Sequence, residues 1–284
     1  LLRVGSVTKT YVAAATLLLV ADGAVDLDGT LETWVPGVPN GTTITIRHLL
    51  NHTSGVYNYT DITFLQEALA DPSRVWTPQE LVDIAVQHGA DFEPGTDWSY
   101  SNTNYILLGM IVEQASGQTV SELMRERLLV AEGLDATFLD GEETLAGDLA
   151  TGYSQSGNDV THALNPSAAW AAGSMVATPE DVASWAAALY RGQVLAAPEM
   201  EAMLTMVPTG LDGVEYGLGV FGYGPQVLAG HEGIGHGGDI PGFHSIVLYL
   251  TDYDAVIVSI VNNDGANPAR ALANALPIVT AGDP

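Results

Sequence analysis

Arg3-Val4-Gly5-Ser6-Val7-Thr8-Lys9 carries the only lysine among the 284 residues, three positions after a serine. Positions i and i+3 share one face of a helix, so Ser6 Oγ and the Lys9 amine are predicted to fall within hydrogen-bonding reach. Such a pair is an activated nucleophile. A serine hydroxyl is weak at neutral pH, and an amine kept partly neutral by desolvation can take its proton as it attacks a carbonyl. An ordinary chain of this length shows S-x-x-K about once by chance, but a single lysine lowers that coincidence to roughly 5%. From Ser6 to Val20 the apolar residues Val7, Tyr11, Val12, Ala13, Ala14, Ala15, Leu17, Leu18, Leu19 and Val20 cover most of the circumference, which predicts a helix buried on all sides, with Gly23 as its stop.

Composition narrows the classes of function. With 47% hydrophobic residues the chain can bury a large core, and its length suits one large domain. The 34 acidic and 8 basic residues give a formal charge of −26, which leaves no basic patch for nucleic acid or an anionic membrane. The scattered acids and near absence of lysine raise the expectation of adaptation to high salt. Without cysteine there are no disulfides, thiolate metal sites or cysteine nucleophile. The longest apolar run, Tyr11 to Ala21, is too short to span a bilayer.

Outward from the opening stretch, Thr42-Thr43-Ile44-Thr45-Ile46 reads as a short strand, followed by Arg47-His48-Leu49-Leu50-Asn51-His52-Thr53-Ser54-Gly55. Helices are predicted from Thr77-Pro78-Gln79-Glu80 to Gly89, from Thr103 to Gly117, and from the capping box Thr119-Val120-Ser121-Glu122 towards Gly133. Leu134 to Ala172 reads as loop with short strands, Thr178-Pro179-Glu180-Asp181 opens a helix ending at Gly192, and Ala197-Pro198-Glu199 starts another. After Thr209 the pattern turns to β: Tyr216–Phe221, then Phe243–Leu250 and Ala255–Val261 joined by Thr251-Asp252-Tyr253-Asp254, with a closing helix from Asn267 to Leu276. The expected fold class is α+β. It comprises one domain over 1–284, with a mostly helical insert at 24–175 and a nucleophile helix plus sheet from 1–23 and 176–284.

Two further stretches carry chemistry. Trp98-Ser99-Tyr100-Ser101-Asn102 places a tyrosine and an amide just before a helix; the tyrosine could share a proton relay with lysine and the amide could orient a substrate. By itself this is also an ordinary helix N-terminus. In Gly235-His236-Gly237-Gly238-Asp239-Ile240-Pro241-Gly242-Phe243, paired glycines would let backbone N–H groups approach an oxyanion; an ordinary loop before a strand is the competing reading. Gly217-Leu218-Gly219-Val220-Phe221-Gly222 and Gly233-Ile234-Gly235-His236-Gly237-Gly238 satisfy G-x-G-x-x-G without opening a helix in a βαβ unit, so a dinucleotide site is not expected. The spacing of His231, His236 and His244 matches no standard metal set, and G-x-S-x-G is absent.

In order and context, Ser6-Val7-Thr8-Lys9, Tyr100-Ser101-Asn102 and His236-Gly237-Gly238 resemble the S-x-x-K, Y-x-N and K/H-[TG]-G motifs of the serine β-lactamase and penicillin-binding protein superfamily. The likeness extends over essentially the whole chain. It is greatest to the branch holding class C β-lactamases, D-alanyl-D-alanine carboxypeptidases of the Streptomyces type and β-lactamase-like esterases. The resemblance implies a β-lactamase/transpeptidase-like fold, an antiparallel sheet with flanking helices. It implies a serine hydrolase that cleaves an ester or amide of a small molecule or peptide through an acyl-enzyme on Ser6. Lys9 and Tyr100 would relay protons, Asn102 would hold the acyl-side amide, and His236 would line the cleft opposite Tyr100. The N–H groups of Ser6 and Asp239 would form the oxyanion hole, with Gly237 and Gly238 at the substrate; Tyr57, Tyr59 and Trp170 would either receive an apolar acyl group at the substrate site or serve as core residues. No cofactor or metal is implied, and relatives work outside the cytoplasm. A carboxylesterase without peptidase activity and a non-catalytic penicillin-recognising domain are the alternatives.

Three departures bear on substrate. Gly237 stands where a threonine is usual, Asp239 stands where a hydroxyl is common, and Tyr216–Phe221 lacks the arginine of the carboxypeptidases. Each weakens recognition of a substrate carboxylate, which would also approach a chain of charge −26. They favour an esterase or amidase for neutral substrates. Relatives also carry several tens of residues before the nucleophile helix, so the first sheet strands are expected to be missing here and the isolated chain to be poorly soluble.

Overall fold

A computed structural model describes residues 1–281. In chain order the elements are β1 (Leu2–Arg3), a 3₁₀ turn at Gly5–Val7, α1 (Thr8–Ala21), α2 (Ile46–Leu50), α3 (Ile62–Ala70), α4 (Pro78–His88), α5 (Asn102–Ser116) and α6 (Val120–Met124). There follow β2 (Thr137–Leu139), β3 (Met175–Ala177), α7 (Pro179–Tyr190), α8 (Ala197–Met203), β4 (Val207–Pro208), β5 (Val214–Tyr216), β6 (Phe221–Leu228), β7 (His231–Ile240), β8 (Phe243–Leu250), β9 (Ala255–Val261) and α9 (Pro268–Thr280). Strands β4 to β9 form one antiparallel sheet in sequence order, and β1, β3 and β2 form a small second one. This is the expected mixed helical and antiparallel architecture.

The uniform apolar surface of α1 finds apolar partners on several sides. Tyr11, Val12, Ala13, Ala14, Ala15 and Leu17 are fully buried, and the helix packs against α5, α6 and α8. The Tyr11 ring stacks on Trp185 of α7 at 4.2 Å, and Trp185 Nε1 donates to Thr10 Oγ1 at 2.8 Å. One apolar cluster then runs from Val4 through α1 and α5 to the inner face of the large sheet. A buried apolar side chain contributes about 1.5–3 kcal/mol, so this continuous cluster anchors the helix that carries Lys9 and that the Ser6 turn leads into.

Three local expectations differ from the structure. The stretch Thr42–Ile46 is not a strand: Thr45 caps α2, its side chain accepting from His48 N while its own N–H bonds His48 Nδ1. Tyr216–Phe221 is the corner between β5 and β6, closed by Gly217 N–H on Val220 O at 2.8 Å. Gly219 there has φ +83, and an added Cβ would lie 2.5 Å from Ala13 Cβ, so the corner rests directly on α1. Most of Gly235–Phe243, for which a loop before a strand is the competing sequence reading, lies in the ten-residue strand β7. Its glycines lower β-propensity but allow close backbone approach, and the ladder to β8 decides the conformation.

Candidate active site

Ser6 sits in the 3₁₀ turn that leads into α1, one step before the helix proper. Thr8 Oγ1 donates to Gly5 O at 2.7 Å and accepts from Met175 N, while Ser245 Oγ of β8 donates to Val4 O at 2.7 Å. The turn is thereby tied to both sheets. Gly5 has φ +52, and its added Cβ would lie 2.7 Å from Asp239 N; at Gly238 an added Cβ would lie 2.7 Å from Ser6 N. The backbone amides of Ser6 and Asp239 therefore approach across two contacts that admit only glycine.

Lys9 is fully buried. Its Nζ lies 3.1 Å from Ser6 Oγ, 2.8 Å from Asn102 Oδ1 and 2.6 Å from Ala172 O. Burial drives its pKa well below the ordinary lysine value. A neutral amine has two N–H donors and one lone pair. The donors match the two obligate acceptors, Asn102 Oδ1 and the Ala172 carbonyl, and the lone pair is left for the Ser6 hydroxyl proton. Asn102 is held in turn, its N–H on Asn58 Oδ1 at 3.0 Å and its Nδ2 donating to Thr60 Oγ1 at 2.9 Å.

Tyr100 comes from the segment before α5, and Lys9 Nζ lies 4.9 Å from its ring centroid. Its phenolic oxygen is buried, with the Ser6 hydroxyl as its polar neighbour. Burial raises its pKa, partly offset by the neighbouring Ser6 hydroxyl. Burial thus favours the neutral phenol and the neutral amine together.

His236 is buried beneath this pair. Its Nδ1–H donates to the Gly237 carbonyl, and Nε2 accepts from Tyr216 Oη at 3.0 Å. Burial lowers its pKa to about 3. Its ring faces that of Tyr100 with centroids 6.2 Å apart, but it is buried rather than part of the lining of the cavity at Ser6, and both ring nitrogens are committed to Gly237 and Tyr216. Tyr216, which holds it, was not singled out from sequence because a lone tyrosine beside glycines carries no pattern.

A cavity of about 230 Å³ opens at Ser6, lined among others by Tyr59, Phe64, Leu65, Asn102, Leu164 and Asp239. Tyr59 lies in that lining, its hydroxyl donating to Ala168 O at 2.6 Å. Tyr57 instead stacks on His88 at 4.1 Å and bonds Asp61. Trp170 also faces elsewhere: its indole packs over Gly109 of α5, donates to Glu142 and lines a separate cavity with Arg3 and Asp140. Its φ of +36 turns the chain so that the Ala172 carbonyl reaches Lys9. Gly237 leaves space on β7, with nothing nearer an added Cβ than Ser245 O at 3.6 Å. The Asp239 carboxylate is mostly exposed and pairs with His244. Among the described residues no group of three or more His, Cys, Asp and Glu is placed to hold a metal, and no helix is long and apolar enough to cross a membrane.

Comparison with known proteins follows the same outline. The sequence model of the family described as Beta-lactamase matches residues 1–281. Penicillin-binding protein 4* of Bacillus subtilis is 34% identical over 139 residues, 48% of this chain, which corresponds to only 30% of that protein's length. A D-stereospecific amidohydrolase from Streptomyces sp. superposes with a TM-score of 0.86 at 35% identity, covering 96% of this chain and 85% of the other. The D-amino acid amidase from Ochrobactrum anthropi SV3, complexed with D-phenylalanine, gives 0.87 at 28% identity, covering 99% and 85%.

Proposed function

We propose, for a chain that belongs to the beta-lactamase family of serine hydrolases, that it cleaves amides of small amino-acid-like substrates through an acyl-enzyme on Ser6. The observation that carries this reading is the buried Lys9 amine, 3.1 Å from Ser6 Oγ with its two donors already committed. As the Ser6 oxygen bonds to the carbonyl carbon, its proton passes to Lys9 Nζ. The carbonyl oxygen becomes an oxyanion between the N–H groups of Ser6 and Asp239. Tyr100, held as the phenol, gives its proton to the departing nitrogen and is reprotonated from the Lys9 ammonium. The C–N bond breaks, leaving an ester on Ser6. Water then attacks that ester, its proton taken by Lys9 Nζ and passed to Ser6 Oγ as the acyl C–O bond breaks and the carboxylic acid departs.

Two features favour an amide over a substrate recognised by its carboxylate. Among the described residues the cavity at Ser6 is lined by no arginine, lysine or histidine, and Gly237 offers no hydroxyl. Tyr59, Phe64, Leu65 and Leu164 give it an apolar wall that suits an aromatic or aliphatic side chain. Similarity to a D-stereospecific amidohydrolase and a D-amino acid amidase supports D-configured substrates such as D-phenylalanine amide. The test is mass spectrometry after a fluorophosphonate, beside turnover of D- and L-phenylalanine amides, a cephalosporin and a D-alanyl-D-alanine peptide. Absence of an adduct on Ser6, with Ser6→Ala equal to wild type, removes the enzyme; equal rates on both enantiomers remove the D-preference.

A further inference from the structure

His52 lies outside the three motifs and takes no step in the chemistry above, yet it is fully buried beside Tyr100. The two residues that flank Tyr100 both hydrogen-bond to it. Ser99 N–H donates to the His52 carbonyl at 3.1 Å, and Ser101 N–H donates to the His52 ring at Nδ1, 3.2 Å away. The Tyr100 ring lies against the imidazole with centroids 4.3 Å apart. One residue thus grips the tyrosine on both sides of its backbone and on one face of its ring.

The bonding also defines the state of the imidazole. Nδ1 faces two donors, the Ser101 N–H and the Asn104 side-chain amide at 3.2 Å, whose own oxygen accepts from Ser54 Oγ. A nitrogen that accepts from an amide N–H carries no proton, so the neutral ring has its hydrogen on Nε2. Burial disfavours the imidazolium. Nε2 is buried with no partner among the described residues, in a shell formed by the rings of Tyr100, Tyr105 and Tyr216. A backbone φ of +63 places His52 in the left-handed region, which few non-glycine residues other than asparagine, aspartate and histidine adopt. A merely space-filling residue would not require an unpartnered polar atom in so buried a place.

We infer that His52 is a positioning residue for Tyr100: its Nδ1 and carbonyl hold the Ser99–Ser101 segment so that the phenol can protonate the leaving nitrogen. The inference rests on the role given to Tyr100 above. It predicts a selective loss. An amide needs its leaving nitrogen protonated, whereas p-nitrophenolate leaves without a proton. A tyrosine displaced by about 1 Å costs about 100-fold on the step that uses it. His52→Leu therefore lowers kcat on D-phenylalanine amide about 100-fold and on a p-nitrophenyl ester by less than about tenfold, with KM for the amide little changed. His52→Asn, whose side-chain oxygen can occupy the Nδ1 position, recovers most of the amide rate; His52→Gln, whose carbonyl cannot, recovers little.

The experiment measures both substrates on all three variants and on Tyr100→Phe, with rates normalised to Ser6 titrated by fluorophosphonate. If Tyr100→Phe shows no amide-selective loss, the role of Tyr100 falls and the inference with it. If Tyr100→Phe shows that loss while His52→Leu slows both substrates equally, or neither, positioning by His52 is refuted alone. Should His52→Leu fail to fold, the Asn and Gln variants decide: an amide rate at least tenfold higher for Asn supports the inference, and equal rates overturn it.

Discussion

Gly238→Ala probes how closely strand β7 and the nucleophile turn must meet. An ideal Cβ at this position falls 2.0 Å from the Val4 carbonyl oxygen, 2.7 Å from Ser245 Oγ and 2.7 Å from Ser6 N. Heavy atoms meet best near about 3.5 Å, so relieving the Val4 clash requires a shift of about 1 Å or more. No flexible side-chain end can absorb it, because Val4 O is backbone and already accepts from Ser245 Oγ and Val7 N. The shift separates the amides of Ser6 and Asp239. Losing one oxyanion donor costs about 10²–10³ in kcat, which is about 3–4 kcal/mol of transition-state stabilisation. Overpacking adds about 1–3 kcal/mol of lost stability. Gly237→Ala, with its Cβ no nearer than 3.6 Å to any neighbour, supplies the contrast on the same strand and loses less than about tenfold. Steady-state turnover of D-phenylalanine amide and thermal unfolding would be measured for both. Activity within about threefold of wild type for Gly238→Ala, or equal losses for the two variants, would refute the reasoning.

Three further outcomes follow from the same structure. The kcat/KM profile should rise with pH as Lys9 sheds its proton, since burial lowers its pKa and the neutral amine is the base; His236, with its pKa near 3, should add no limb around neutrality. A profile that falls between mildly acidic and mildly alkaline pH would contradict this. Arg3→Met leaves Asp140 without its partner in the ion pair at 2.8 Å, where both side chains are largely buried; urea unfolding should show a loss of about 3 kcal/mol, and a loss below about 1 kcal/mol would show the pair to be dispensable. Finally, a chain with 34 acidic and 8 basic residues should unfold at a higher midpoint in molar salt than in dilute buffer. Equal midpoints would sink the idea of salt adaptation.

Local sequence carried a large part of the site. Ser6 and Lys9 are three residues apart on a continuous run of helical turns, and the capping boxes at Thr77 and Thr119 form as their side chains require. Strands β8 and β9 were legible because their apolar residues outweigh any turn signal. Strand β7 was obscured because seven of its ten residues are glycine, histidine or aspartate, residues that pair well only when a neighbouring strand is present.

The order of three short motifs, the buried character of α1 and the charge of the chain were determined by sequence alone, because each rests on residue identity and near-neighbour spacing. Only the tertiary structure decided what those residues do to one another. It set Lys9 among Asn102 and Ala172, 93 and 163 positions away, and so fixed which lone pair faces the nucleophile. It turned Tyr57 and Trp170 away from the cavity, tied His236 to Tyr216, and brought His52 against Tyr100. Each of these depends on desolvation and on contacts between distant segments, which burial imposes and no local pattern records.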